Sequence, residues 1–538
     1  MKKEDESRLD RRKFLHYSAI GAVTLMAWPF ISACNNKSAN SNDQKSDAES
    51  GAFEPDLDFE LTAVQRDISI FSGSLTSVWM FESKLIKGNP GALTHIDGSY
   101  LGPTINVGVG QKVRIRFVNN LNEESIVHWH GMHVPEQYDG HPKDVIAPGE
   151  TLIYEYEIMN RAGTYWYHPH PHKLTGHQVY NGLAGMFIVT DEEEQALNLP
   201  SGKYDFPIVI QDRTFDDDNQ LVYINNGHMR RNDGFLGEQI FINGTPSQTI
   251  SAEQGAYRLR LLNGSNSRYY KLGWEDGTPL TVIGTDGSLL AKPRNVPYVM
   301  MSSGERIDLW LDLGKHALGT EMVLKSLPFY NGQNDGEGMM GGMGHGRRGN
   351  SQTQIPLGSE YPIVKIIINK PGGNKYKLPE NLVTLNKLVA NDAVNIDNPR
   401  AFTFAGSMMR WTINGRTFKT EEVTDYETVK LNSTEVWEFI NGGGGHGMMG
   451  NNNVAHPIHI HQVQFNILER NSDNMDAELW DSIKDGFVDE GWKDSLLLMP
   501  GMKIKVLMAF KNYKGLFLYH CHNLEHEDMG MMRNYKIE

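Results

Sequence analysis

Cysteine is almost absent from this chain. The 538 residues hold two, Cys34 and Cys521. A single thiol in the body of the protein cannot close an internal disulfide, so Cys521 is left as a core thiol, a nucleophile or a metal ligand. Positive charge is also scarce: 51 Lys and Arg stand against 66 Asp and Glu, a formal net charge of −15. That balance argues against a polyanion as partner, and no nucleic acid is expected. An acidic surface is compatible with a cationic substrate but more often belongs to an ordinary soluble protein. No long segment carries the 3.6-residue period of a helix, which argues against helices as the main framework. Turn formers are plentiful instead, with 54 Gly and 23 Pro, and the class they point to is all-β.

Residues 1–34 read as a targeting segment. "DRRKFLHYSAIG" carries Arg11 and Arg12 followed by Phe14 and Leu15, and a short apolar run leads to "ISAC". This order matches a twin-arginine export signal, which a receptor reads and which is removed rather than kept as a span. "ISAC" resembles a bacterial lipobox, which would lipidate Cys34 and tether a periplasmic protein to a membrane. Trp28 and Pro29 interrupt the run, which speaks against a spanning anchor. Residues 35–56 are polar and expected to be a disordered tether.

A strand pattern then recurs three times. "KVRIRFVN" and "YRLRLLN" alternate with period two, as half-buried strands of a sandwich do, and each is followed by a Gly-containing turn and another alternating strand. Three β-sandwich domains are expected, at 57–195, 196–370 and 371–538. The second has no histidine cluster and is expected to act as a spacer.

Histidine is the informative residue. With 20 in the chain, chance gives about 0.7 His-x-His pairs, and five occur: His128/His130, His168/His170, His170/His172, His459/His461 and His520/His522. Residues i and i+2 of a strand share a face, so each pair presents two imidazoles together. Four separate pairs supply more ligands than one tetrahedral metal can use. A multinuclear cluster shared by the first and third domains follows, and imidazole suits copper, zinc, iron or nickel. Cys521 decides among them. It lies between His520 and His522 and points the other way, towards a second site backed by His526 and nearby methionines, with His456 in reach of supplying another imidazole. Two imidazoles, a thiolate and a weak thioether make a blue-copper centre, one peptide unit from the cluster on either side.

"HWHG" (128–131), "HPH" (168–170), "HPIHIH" (456–461) and "HCHNLEHEDMGMM" (520–532) resemble, in content and order, the copper-binding segments of the multicopper oxidases. The likeness covers nearly all of the chain after residue 57. It implies three cupredoxin-like domains, four copper ions with a trinuclear site between domains 1 and 3, and four-electron reduction of O2 to water. Carried over residue by residue, type 1 copper takes His456, Cys521, His526 and Met531, the last chosen over Met529 and Met532 because the family's axial ligand lies ten positions after the cysteine. Type 2 copper takes His128 and His459. The type 3 pair takes His130, His168, His170, His461, His520 and His522. His172 is expected in a supporting or surface role. Asp139 and Glu527 align with the family's acidic residues near the cluster and are expected to relay protons to oxygen.

Two Gly- and Met-rich stretches, "GEGMMGGMGHGRRG" (336–349) and "GGGGHGMMG" (442–450), resemble the methionine-rich segments of bacterial copper-tolerance oxidases. Thioethers favour Cu(I), so Met339, Met340, Met343, His345, His446, Met448 and Met449 are candidate ligands for a substrate ion. The longer stretch lies in the second domain, whereas those oxidases carry their main insert in the third. The expected enzyme is a cuprous oxidase, with a laccase acting on phenols as the alternative. A ferroxidase and a copper-sequestering protein are lesser ones. A monomer is expected.

Overall fold

The computed structural model describes residues 53–223, 234–246, 249–331, 355–407, 410–442 and 454–538. The leader, most of the tether and all seven candidate Cu(I) residues lie outside these. The described strands form six sheets in three successive pairs. A four-stranded and a five-stranded sheet span Leu57 to Thr190, a six- and a five-stranded sheet Asp205 to Lys370, and two five-stranded sheets Arg400 to Ile537. The fold is all-β and cupredoxin-like. Its described α-helices have five to seven residues, and no described helix is long and apolar enough to cross a membrane.

Each pair encloses its own apolar core, around Phe59, Phe117 and Trp129 in the first, Leu259, Ile283 and Leu309 in the second, and Phe402, Trp437 and Phe517 in the third. Alternation along the strands sorts core from site. Trp129 faces the first core, which sends its neighbours His128 and His130 to the opposite face. Cys521 faces the third core, which separates it from His520 and His522 in the same way.

One strand differs from expectation. Ala256–Asn263 is buried on both faces rather than half-buried. Its alternate face carries Arg258 and Arg260, which the first pair of sheets covers. Arg258 pairs with Asp308 (2.6 Å) and Glu194, and Arg260 with Asp205 (2.8 Å). The alternation is real, but the polar face meets a neighbouring domain instead of water.

The histidine strands pair in a register that brings their side chains together. Val127–His130 runs antiparallel to Gly163–Pro169 with His128 opposite His168. His456–Ile460 lies between Ser495–Leu498 and Gly515–Cys521, placing His459 opposite both Ser495 and His520. Opposed residues on adjacent strands sit about 5 Å apart, close enough for one cation to be gripped from two strands.

Candidate metal centre

Eight histidines from the first and third pairs of sheets converge in one fully buried region. Nε2 of His128 lies 3.3 Å from Nε2 of His459. Nδ1 of His130 lies 3.4 Å from Nε2 of His168. Nε2 of His520 lies 3.1 Å from that of His461 and 3.4 Å from that of His170. The ring of His522 packs against those of His130 and His168, and its buried Nε2 has no hydrogen-bond partner.

The far nitrogen of most of these rings faces an oxygen: His128 Nδ1 the Asp139 carbonyl at 2.6 Å, His168 Nδ1 the Pro169 carbonyl at 2.9 Å, His459 Nδ1 the Asp494 carbonyl at 2.8 Å and His461 Nδ1 Asp139 Oδ2 at 2.8 Å. His130 Nε2 faces Ser495 Oγ at 2.9 Å and Asp494 Oδ1 at 3.1 Å. His520 Nδ1 faces Glu527 Oε2 at 3.1 Å, and His522 Nδ1 faces Ser303 Oγ at 3.2 Å. An imidazole whose outer N–H donates to oxygen keeps its inner lone pair for a metal. Burial reinforces this by opposing the charged form. It lowers His128, His130, His459, His461 and His522 well below the ordinary value, and His168 and His170 to about 4 and about 3. Neutral rings aimed at one another have no proton to share, so the donor set fits cations between them.

A second group lies on the far side of the strand Gly515–Cys521. Cys521 Sγ is 3.5 Å from His456 Nδ1 and 3.6 Å from His526 Nδ1, and all three residues are fully buried. The short helix Leu524–Asp528 positions His526, with Asn523 capping it by accepting from the His526 N–H at 3.3 Å. Met531 is buried in the same core as Cys521, and its carbonyl accepts from the Cys521 N–H at 3.0 Å. Met529 is 37 % exposed and Met532 packs instead with Phe418 and Leu518. Burial in apolar surroundings pushes the Cys521 thiol up; a bound cation is what would hold it as thiolate.

The chain belongs to the multicopper oxidase family. Family profiles described as multicopper oxidase match residues 80–194 and 393–538. The multicopper oxidase mco of Staphylococcus haemolyticus is 31 % identical over 458 residues, covering 85 % of this chain and 86 % of its own. A laccase of Bacillus stratosphericus is 29 % identical over 500 residues, covering 83 % of this chain and 91 % of its own. The crystal structure of the McoA multicopper oxidase of Aquifex aeolicus superposes with a TM-score of 0.73 at 31 % identity, over 90 % of this chain and 97 % of that one. This multicopper oxidase is therefore an oxidoreductase that takes four copper ions, O2 and a reduced substrate.

Asp139 and Glu527 both lie at the cluster. Asp139 Oδ2 faces His461, its Oδ1 has no hydrogen-bond partner, and burial pushes its carboxyl well above the ordinary value. Glu527 lies between His520 (3.1 Å) and His170 (3.4 Å). His172 is half-buried with its ring against Phe418. Four further residues carry no sign of the site in their sequence context. Ser303, Arg306 and Asp494 surround the cluster, and Trp411 stacks on His526 at 3.6 Å between ring centroids and 21°. None stands in a metal-ligand spacing, and each reaches the site only through strand packing. The expected spacer role of the second pair of sheets is corrected accordingly. No metal-ligand group among the described residues includes it, yet it supplies Ser303 and Arg306. It also clamps the ligand loop through Glu525, which accepts from Tyr223 (2.7 Å), Phe235 N–H (2.9 Å) and Asn266 (2.9 Å).

Proposed function

We propose that this multicopper oxidase is an exported cuprous oxidase, tethered outside the cytoplasm through a lipidated Cys34 and acting in copper tolerance. His456, Cys521, His526 and Met531 hold the type 1 copper. His128 and His459 hold type 2. His130, His168 and His522 hold one copper of the type 3 pair, and His170, His461 and His520 the other. When bound, these ions supply the redox capacity that couples four one-electron oxidations to reduction of one O2 to two waters.

The protein's own groups do the rest. Burial of all eight cluster imidazoles excludes bulk water. Asp139 Oδ1 is placed to hold a proton at the cluster and Glu527, between His520 and His170, to accept one and pass it on, and four protons are consumed per O2. The observation that carries the oxidase reading is the placement of Cys521 with His456 and His526 while its neighbours His520 and His522 turn to the cluster. The substrate reading is supported by the two methionine-rich stretches of the sequence and by the closed type 1 site. His456 and His526 are fully buried and Trp411 covers the His526 ring, an arrangement that suits an ion better than a phenol ring.

The test is oxygen uptake by the copper-loaded protein with Cu(I) and with a phenol. It is repeated on a variant with Met339, Met340, Met343, Met448 and Met449 changed to serine. Cu(I) turnover is expected to fall at least tenfold while phenol turnover holds. Equal rates before and after would reject the cuprous reading in favour of a laccase.

A further inference from the structure

Arg306 sits where the three pairs of sheets meet, fully buried. All five of its N–H donors are placed. Nε donates to the Thr164 carbonyl at 2.9 Å, on the strand that carries His168. Nη1 donates to the Gly304 carbonyl at 2.8 Å and to Asp494 Oδ1 at 2.7 Å. Nη2 donates to Asp494 Oδ2 at 2.5 Å and to the Asp286 carbonyl at 3.2 Å. The result is a two-pronged, charge-assisted grip on Asp494, which fixes that carboxylate in plane and angle.

Asp494 in turn reaches two cluster histidines by different atoms. Oδ1 faces His130 Nε2, and its carbonyl accepts from His459 Nδ1. His130 turns Nδ1 rather than Nε2 towards His168, and the ring that presents Nδ1 inward must present Nε2–H to Asp494 and Ser495. Two glycines make the approach possible. Gly131, at φ +82°, has Asp494 Oδ2 only 2.3 Å from where a Cβ would sit, and Gly304, at φ +85°, has His130 Cε1 at 3.1 Å. A side chain at either position would push the strut off the cluster.

We infer that Arg306 and Asp494 are positioning residues for the trinuclear site. Through Asp494 the second domain sets the orientation and donor strength of His130, a type 3 ligand, and His459, a type 2 ligand. A carboxylate behind a metal-bound imidazole raises its basicity and fixes its tautomer, and here a cation from another domain holds that carboxylate. The inference rests on the assignment of these histidines to copper.

The test uses the full copper-loaded chain as wild type, Asp494→Asn and Ser495→Ala, the second deleting one hydroxyl without stranding a charge. Copper retained against a chelator and the type 2 paramagnetic resonance spectrum are read, with the blue band of type 1 copper as the internal control. In Asp494→Asn, trinuclear copper should be lost about 10–100-fold more readily, with a shifted type 2 spectrum and the blue band intact. Ser495→Ala should retain its copper and shift the near-ultraviolet absorption of the type 3 pair. Unmoved spectra with copper retained in both variants would overturn the inference. So would loss of the blue band together with the rest, which would make the strut general scaffolding. An insoluble Asp494→Asn leaves Ser495→Ala to decide on the same spectra. A wild type without any type 2 signal would instead refute the copper assignment itself.

Discussion

Single side chains decide what reaches each copper position. Trp411 lies nearly parallel to His526 at 3.6 Å and closes it from outside. Trp411→Ala should raise kcat/KM for a bulky phenol about tenfold, equivalent to ~1.4 kcal/mol of barrier, with the blue band retained. An unchanged value in steady-state kinetics would show that the indole does not gate access. Asp139 and Glu527 act at the other end. The double variant Asp139→Asn, Glu527→Gln should slow oxygen consumption about 100-fold, the typical reach of a positioned acid or base. Anaerobic bleaching of the blue band by substrate should proceed at the wild-type rate, because the two carboxylates face cluster histidines, Asp139 facing His461 and Glu527 facing His520 and His170. Slowing of both steps would remove them from proton relay. The eight cluster histidines were legible in sequence because i, i+2 spacing on a strand is a direct statement about faces, whereas His456 and His526 stand outside such pairs and followed from the likeness to the family's copper-binding segments. Trp411 was not legible, since a hairpin residue carries no trace of what it stacks on.

At the scale of elements, short strands and the turns between them hold buried neutral imidazoles that resist acid. His141, in the turn after Asp139, shows the effect outside the ligand set. Its Nε2 faces Asn534 Oδ1 at 2.9 Å, Phe418 packs on its ring, and Lys143, Asp144 and Glu136 are the charged groups around it. Burial lowers it to about 4 from 6.5. A depressed folded value means the unfolded chain takes up the proton first. The stability His141 contributes is thus complete above pH 6.5 and is lost as pH falls towards 4, by about 3 kcal/mol in all. Urea unfolding of the copper-free protein should therefore show a falling midpoint across that window, and His141→Asn should flatten the slope. Identical slopes would mean the ring is protonated in the fold. The strands themselves were readable from alternation. The burial of Arg258 and Arg260 was not, because period two reports that a face is polar and not what covers it.

For the whole molecule, the domains are joined by buried charge as well as by apolar packing. Arg258, Arg260, Glu194, Asp205 and Asp308 form one network between the first and second pairs of sheets. Asp308→Asn strands part of it and should cost about 3–5 kcal/mol, seen as a lower unfolding midpoint with the blue band intact in the folded enzyme. A loss under 1 kcal/mol would show the network relaxes onto other partners. Three repeats of a β unit were evident in sequence, whereas the part played by the second at the cluster was hidden, since Ser303 and Arg306 sit in strand and turn positions with no metal-ligand pattern. The most direct measurement is copper content with the electronic spectrum, wild type against Cys521→Ser. Four coppers and a blue band are expected for wild type, and for the variant loss of the band and of one copper with the trinuclear signals preserved. Loss of all copper, or a variant that keeps its blue band, would contradict the division of these histidines between two sites.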